Sequence, residues 1–160
     1  MADIDNMILI KTTSFYFVYT AKHVLFCLWQ QGVGNMTIPF WCVLLAALLP
    51  YVWTGYAKFS QAGYDNNNPR IFLDGLKGRS QRANWAQMNA FEAFPQFAAA
   101  VLIASVIGKI DPTTLSVLSV TYLLCRFLHG VFYILDKANL RTTVWIIAAI
   151  CWVSMYVLSV

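Results

Sequence analysis

Charge is what this sequence has least of. Only 11% of its 160 residues are Asp, Glu, Lys or Arg, against roughly a quarter in soluble globular domains, while 59% are hydrophobic. A soluble domain of this length can bury one core, but it cannot also hide several apolar runs of about twenty residues each. The scarcity of charge therefore excludes a water-soluble fold and sets the chain in a membrane. The four cysteines, Cys27, Cys42, Cys125 and Cys151, are scattered, with no C-x-x-C pair and no histidine at ligand spacing beside them. That excludes a structural zinc site and leaves them as small buried hydrophobes, with no metal expected. Arg126 follows Cys125, but adjacent helix residues do not face one another, so it does not activate that thiol. There is no arginine-rich cluster interleaved with aromatics, so nucleic acid is not an expected partner. There is no internal repeat either, which weighs against alternating access by a transporter.

What the chain does have is apolar length. Four spans are expected, at about Ile38 to Ala57, Arg82 to Ile107, Thr113 to Asp136 and Leu140 to Val160. Each is long enough to cross a hydrocarbon core of about 30 Å. Pro50 should kink the first and Pro95 lies inside the second. Asp111 is placed as an N-cap for the third, with Pro112 at its first helical position. Between the first two spans, Asn67, Asn68 and Pro69 make a turn, and IFLDGL reads as a short helix on the membrane surface. The DKAN connection makes the last two spans antiparallel neighbours.

Residues 1–35 read differently. Lys11, Lys22 and His23 interrupt the apolar pattern, so no unbroken span survives. Basic residues are not confined to the start and no small-x-small site follows the apolar part, so a signal peptide is not indicated. The segment is an interfacial amphipathic extension, or a start assigned too far upstream. The second reading is favoured, because MTIPFWCVLLAALLPYVW from Met36 looks like a natural beginning for a first span.

Lysine and arginine fall unevenly among the loops. The first connection carries Lys58, Arg70, Lys77, Arg79 and Arg82, the third carries Lys137 and Arg141, and the second has only Lys109. By the positive-inside rule the first and third connections face the cytoplasm. The start of span two and the junction of spans three and four then share one membrane face.

One stretch breaks the apolar rule. In RANWAQMNAFEAFPQF, Arg82, Asn89, Glu92 and Gln96 follow at intervals of seven, three and four, so a helix aligns them as a polar stripe. Glu92 lies ten residues from Arg82, about 15 Å along the helix and near mid-membrane, where an ionisable residue is a functional candidate by default. His129 and Tyr133, four apart, reach the same end from span three, and Arg141 from span four. A cationic, hydrogen-bonding pocket open to the cytosol would suit an anionic or zwitterionic peptide. Each of these residues also has a structural reading. Asn89 and Glu92 can be hydrogen-bonding glue between helices, His129 a satisfied histidine, Tyr133 an interfacial tyrosine, and Arg141 and Lys58 positive-inside anchors. Trp41, Trp53 and Trp145 read as belt residues, and Gly130 as a point of close helix packing.

The run R-A-x-x-A-x-x-N-x-x-E-x-F-P-x-F, formed by Arg82, Ala83, Ala86, Asn89, Glu92, Phe94, Pro95 and Phe97, resembles the signature of the MAPEG family, the membrane-associated proteins in eicosanoid and glutathione metabolism. The similarity extends from Met36 to the end and includes the N-P-R turn at Asn68 to Arg70 and the series His129, Tyr133, Arg141. The bacterial branch is the most similar. The resemblance implies an all-α membrane protein, a four-transmembrane-helix bundle that assembles as a homotrimer in the bacterial inner membrane, with glutathione bound between subunits at the cytoplasmic side. It also implies site roles. Asn89, Glu92, Arg82, Lys58 and nearby His129 would hold glutathione, while Arg141, with Tyr133, would stabilise the thiolate that acts as nucleophile. The sequence departs from the eicosanoid-pathway members at Trp85, where they carry Arg four residues before the motif Asn, and at Lys58, where a point charge replaces a bidentate guanidinium. Two functions stay open. One is a transferase or peroxidase using glutathione as co-substrate on hydrophobic electrophiles or lipid peroxides drawn from the membrane lipid. The other is a non-catalytic trimer whose polar stripe is structural or ligand-sensing.

Overall fold

The computed structural model describes residues 36–160; the expected extension over residues 1–35, with Cys27, lies outside them. The described chain is helical, with α1 at Ile38–Phe59, α2 at Pro69–Asp74, α3 at Gly78–Ile107, α4 at Pro112–Ile134 and α5 at Ala138–Ser159. All but α2 are long and apolar enough to cross a membrane, and together they form an integral, multi-pass bundle.

Local chemistry sets the ends. Asp111 caps α4 as expected, accepting from the backbone N–H groups of Thr113 and Thr114 at 3.0 Å each, with Pro112 inside the first turn. Replacing Asp111 by Ala should cost about 1 kcal/mol, seen as a lower midpoint of thermal unfolding in detergent; an unchanged midpoint would remove the cap from the stability of α4. Gly108 ends α3 in the left-handed region at φ 70°, where glycine carries no Cβ penalty. At the other end of α4, Asp136 adopts φ 60° and the N–H of Lys137 returns to the carbonyl of Phe132 at 2.9 Å. This Schellman-type closure ends α4 at Ile134, two residues short of the expected Asp136, and lets α5 begin at Ala138. Helix α3 starts at Gly78, four residues before the expected boundary. Helix α1 runs through Pro50, and the Thr54 hydroxyl donates to the Pro50 carbonyl at 2.8 Å.

Packing follows small residues. Ala83, Ala86, Ala90, Ala100 and Ala104 of α3 are buried, which lets neighbouring backbones approach where lipid offers no hydrophobic drive between helices. Phe97 stacks on Tyr122 of α4 with ring centroids 3.8 Å apart, and the Tyr122 hydroxyl donates to the Ala93 carbonyl at 2.8 Å. Cys42, Cys125 and Cys151 are free and buried in this core, as the sequence reading held. Trp53 is not the belt residue expected of it: it is 5% exposed and lies against Gly130, where a Cβ would meet its indole at 2.3 Å. The glycine makes room for the ring, so the tryptophan packs inward.

Helices α3 and α4 pack against each other and against both remaining spans, whereas α1 and α5 make no substantial contact. The bundle is therefore a rhombus with α1 and α5 at its far corners. Helices α3 and α5 also touch, with a groove between them among the described residues.

Candidate functional site

Two adjoining hollows lie along α3 and meet at Asn89 and Glu92. The deeper, about 250 Å³, has Gln96, Tyr122 and Arg126 on one side and Trp145, Ala148 and Trp152 of α5 on the other. The second, about 420 Å³ and more open, is lined by Trp85, Met88 and Tyr133 together with Asn89 and Glu92. Individually these volumes lie near the lower end of ligand clefts, roughly 300–1,000 Å³. Along α3 the groove runs from Trp85 to Gln96, about 16 Å at the helical rise.

Arg126 organises the polar wall. It is 4% exposed, and its Nη2 donates both to the carbonyl of Asn89 at 3.0 Å and to the Asn89 side-chain Oδ1 at 2.9 Å. With its oxygen so engaged, Asn89 turns its amide nitrogen to Glu92 Oε2 at 3.5 Å. The asparagine thus links a buried guanidinium to a carboxylate one turn away. Among the described residues Arg126 Nε and Nη1 donate to nothing, and the only salt bridge joins Arg82 to Asp136 at 3.7 Å. Glu92 is exposed on the flank of a membrane-spanning helix. A guanidinium with open donors and a carboxylate without a cation sit in one groove.

The residues singled out from sequence divide into two groups. Asn89, Glu92 and Tyr133 line the hollows, and Arg141 stacks over the Tyr133 ring at 4.3 Å, which fixes the guanidinium by a cation–π contact. His129 is buried behind Tyr133, edge to face with it at 5.6 Å, and lines neither hollow. Arg82 turns away from the groove: its Nε donates to the Ile134 carbonyl at 3.2 Å, capping the end of α4. Lys58 lies over the Tyr64 ring at 4.6 Å, in the connection between α1 and α2. In the same connection Asp65 accepts from the backbone N–H of Asn67 at 2.8 Å and the side-chain amide of Asn68 at 3.1 Å. The first of these bonds holds its carboxyl below the ordinary value of 3.8.

Arg126 is a groove residue that the sequence reading does not include among its candidates. In the sequence it stands out only as the neighbour of Cys125, although a cation inside an apolar span is itself a signal. Arg126, His129 and Tyr133 also fall at i, i+3 and i+7 on one helix face.

The sequence model of the MAPEG family matches residues 38–160, all four spans and the whole polar stripe. The chain belongs to the MAPEG family. No curated protein matches it, and no solved structure does. In this MAPEG chain the motif residues Asn89 and Glu92 are the ones that face the groove, while the motif residues Ala83, Ala86 and Phe97 are buried in the bundle. The one motif therefore has a packing half and an open half.

Proposed function

We propose that the protein is a glutathione-dependent transferase or peroxidase acting on hydrophobic electrophiles or lipid peroxides that enter the groove from the bilayer. The observation that carries this reading is the buried Arg126, held among the described residues by Asn89 through Nη2 alone, beside the carboxylate of Glu92, which pairs with no cation among the described residues. A buried charge normally finds full hydrogen bonding, and a peptide bearing both an ammonium and carboxylates satisfies the two residues at once. Family membership supports glutathione as that peptide, since MAPEG proteins include glutathione transferases and peroxidases.

Asn89 and Glu92 then hold the amino end, Arg126 takes a carboxylate by its open donors, and Arg141, steadied on Tyr133, faces the sulfur. A cation there favours the thiolate, which is the nucleophile. The thiol proton passes to water at the polar mouth. On an electrophilic carbon the thiolate forms a carbon–sulfur bond as the leaving group departs with the electron pair of its bond to carbon. On a peroxide the sulfur attacks oxygen, the O–O bond breaks to release the alcohol, and a second glutathione converts the sulfenic acid to the disulfide and water. The apolar wall of Trp145, Ala148 and Trp152 receives the acceptor. Lys58 is kept as an anchor for glutathione in the assembled protein, whereas Arg82, engaged with the Ile134 carbonyl and Asp136, secures the end of α4. With α1 and α5 at opposite corners, a Lys58 that reaches the groove between α3 and α5 would come from a neighbouring copy. The exposed Glu92 also favours a covering subunit, because a lipid-facing carboxylate is costly. We take the assembly to be a homotrimer in a bacterial inner membrane, as the family resemblance implies, with the site on the cytoplasmic side, as the Lys and Arg of the first and third connections imply.

Glutathione should raise the thermal unfolding midpoint of the detergent-solubilised protein, and absence of any shift would count against the reading. Among the variants, Glu92→Gln should weaken binding, whereas Arg141→Ala should mainly reduce turnover. The ultraviolet absorbance of bound thiolate should develop at higher pH in Arg141→Ala than in the wild type. Identical titrations would leave Arg141 as a structural anchor and favour the non-catalytic trimer.

A further inference from the structure

The end of the bundle that carries Tyr133 and Arg141 has a second surface, separate from the groove. The connection between α1 and α3 is folded rather than loose. Tyr64 meets Phe72 edge to face at 5.3 Å, the Ser60 and Ser80 hydroxyls are 2.7 Å apart, and Phe72 and Leu73 of α2 pack onto the core. Helix α2 thus lies against α3 at the membrane end of the bundle.

What this cap leaves outside is of two kinds. Phe59 is 86% and Ile71 73% exposed, large apolar groups at the level where α1 ends and α3 begins. Arg70, Lys77 and Arg79 are exposed, and none has a carboxylate within salt-bridge distance among the described residues. The acids close to them in sequence do not neutralise them: Asp65 is occupied by Asn67 and Asn68, and Asp74 pairs with no cation among the described residues. Apolar side chains beside unpaired cations, at the mouth of membrane-spanning helices, match a leaflet surface, where acyl chains meet phosphate diesters.

We propose that this cap is a binding surface for anionic phospholipid, with Phe59 and Ile71 entering the interface and Arg70, Lys77 and Arg79 taking the headgroup phosphate. Guanidinium groups suit the phosphate oxygens by their fork of donors. The partner is the surrounding bilayer, because the apolar groups adjoin the ends of α1 and α3 and are continuous with the lipid-facing surface of the spans. A soluble anion would leave Phe59 and Ile71 uncovered.

Native mass spectrometry of the full chain in detergent, titrated with phosphatidylglycerol or phosphatidylcholine, tests this. The wild type should retain phosphatidylglycerol in preference to phosphatidylcholine, and R70Q/K77Q/R79Q should lower phosphatidylglycerol affinity by at least about tenfold, since each cation near a charged leaflet contributes several-fold. Lys109→Gln, at the opposite end of the bundle, should leave the preference unchanged. Unchanged helical content by circular dichroism would show that the triple variant is folded. Equal retention of the two lipids by the wild type would overturn the proposal, as would a preference that survives the triple substitution. Displacement of phosphatidylglycerol by inorganic phosphate would assign the surface to a soluble anion and overturn it equally.

Discussion

Arg126→Met should reduce glutathione affinity by at least about 100-fold, the largest functional loss expected of any single substitution here. A hydrogen bond to a charged group is worth about 1.5–3 kcal/mol, and Arg126 offers a ligand two open nitrogens, Nε and Nη1, in a desolvated wall. Those nitrogens lie on different edges of the guanidinium, so each gives a separate charge-assisted bond, and losing them removes about 3 kcal/mol, which is about two decades in the dissociation constant. The substitution also strips Asn89 Oδ1 of its donor, so the amide is free to rotate and Glu92 loses its fixed neighbour. Calorimetric titration with glutathione measures the effect. Arg126→Lys separates charge from geometry: it should retain part of the affinity, because an ammonium restores the charge but not the fork. Wild-type affinity in Arg126→Met would make the residue a fastener between α3 and α4 and move the ligand site elsewhere.

The largest effect on stability is expected at Gly130. A Cβ there would lie 2.3 Å from Cε2 and Cζ2 of Trp53 and 2.7 Å from Nε1, and the indole is confined, being 5% exposed and packed at 5.6 Å against Phe127. Overpacking of this kind costs about 1–3 kcal/mol, so Gly130→Ala should lower the thermal midpoint clearly, and Gly130→Leu should prevent accumulation of folded protein. A double substitution identifies the cause. Trp53→Leu removes the ring, so Gly130→Ala should be better tolerated in that background than in the wild type, with a coupling of about 0.5–3 kcal/mol. Additive losses would mean that the glycine serves something other than the indole.

Trp53 marks the boundary of what the chain discloses by itself. Span existence was determined by composition and length, since runs of about twenty apolar residues have no other stable setting. The caps were legible too, because Asp111, Pro112 and Gly108 act on backbone groups within a few residues. So was the alignment of Asn89, Glu92 and Gln96, which needs only helical periodicity. The motif named the family from sequence order alone.

Rotation of each helix about its axis was not legible. Lipid is as apolar as the interior, so a spanning helix carries little difference between its lipid-facing and buried sides. Trp53 and Trp145 look alike in sequence, yet one is buried against Gly130 and the other lines the deeper hollow. Arg82 lies on the stripe with Glu92, yet it reaches the end of α4, because the Ile134 carbonyl and Asp136 are its nearest partners in space. The meeting of Arg126 with Asn89, 37 residues earlier, depends on which helices are neighbours and at what register. Only the packing of α3 against α4 decided that, because a contact between residues so far apart in the chain exists only once the two helices are side by side.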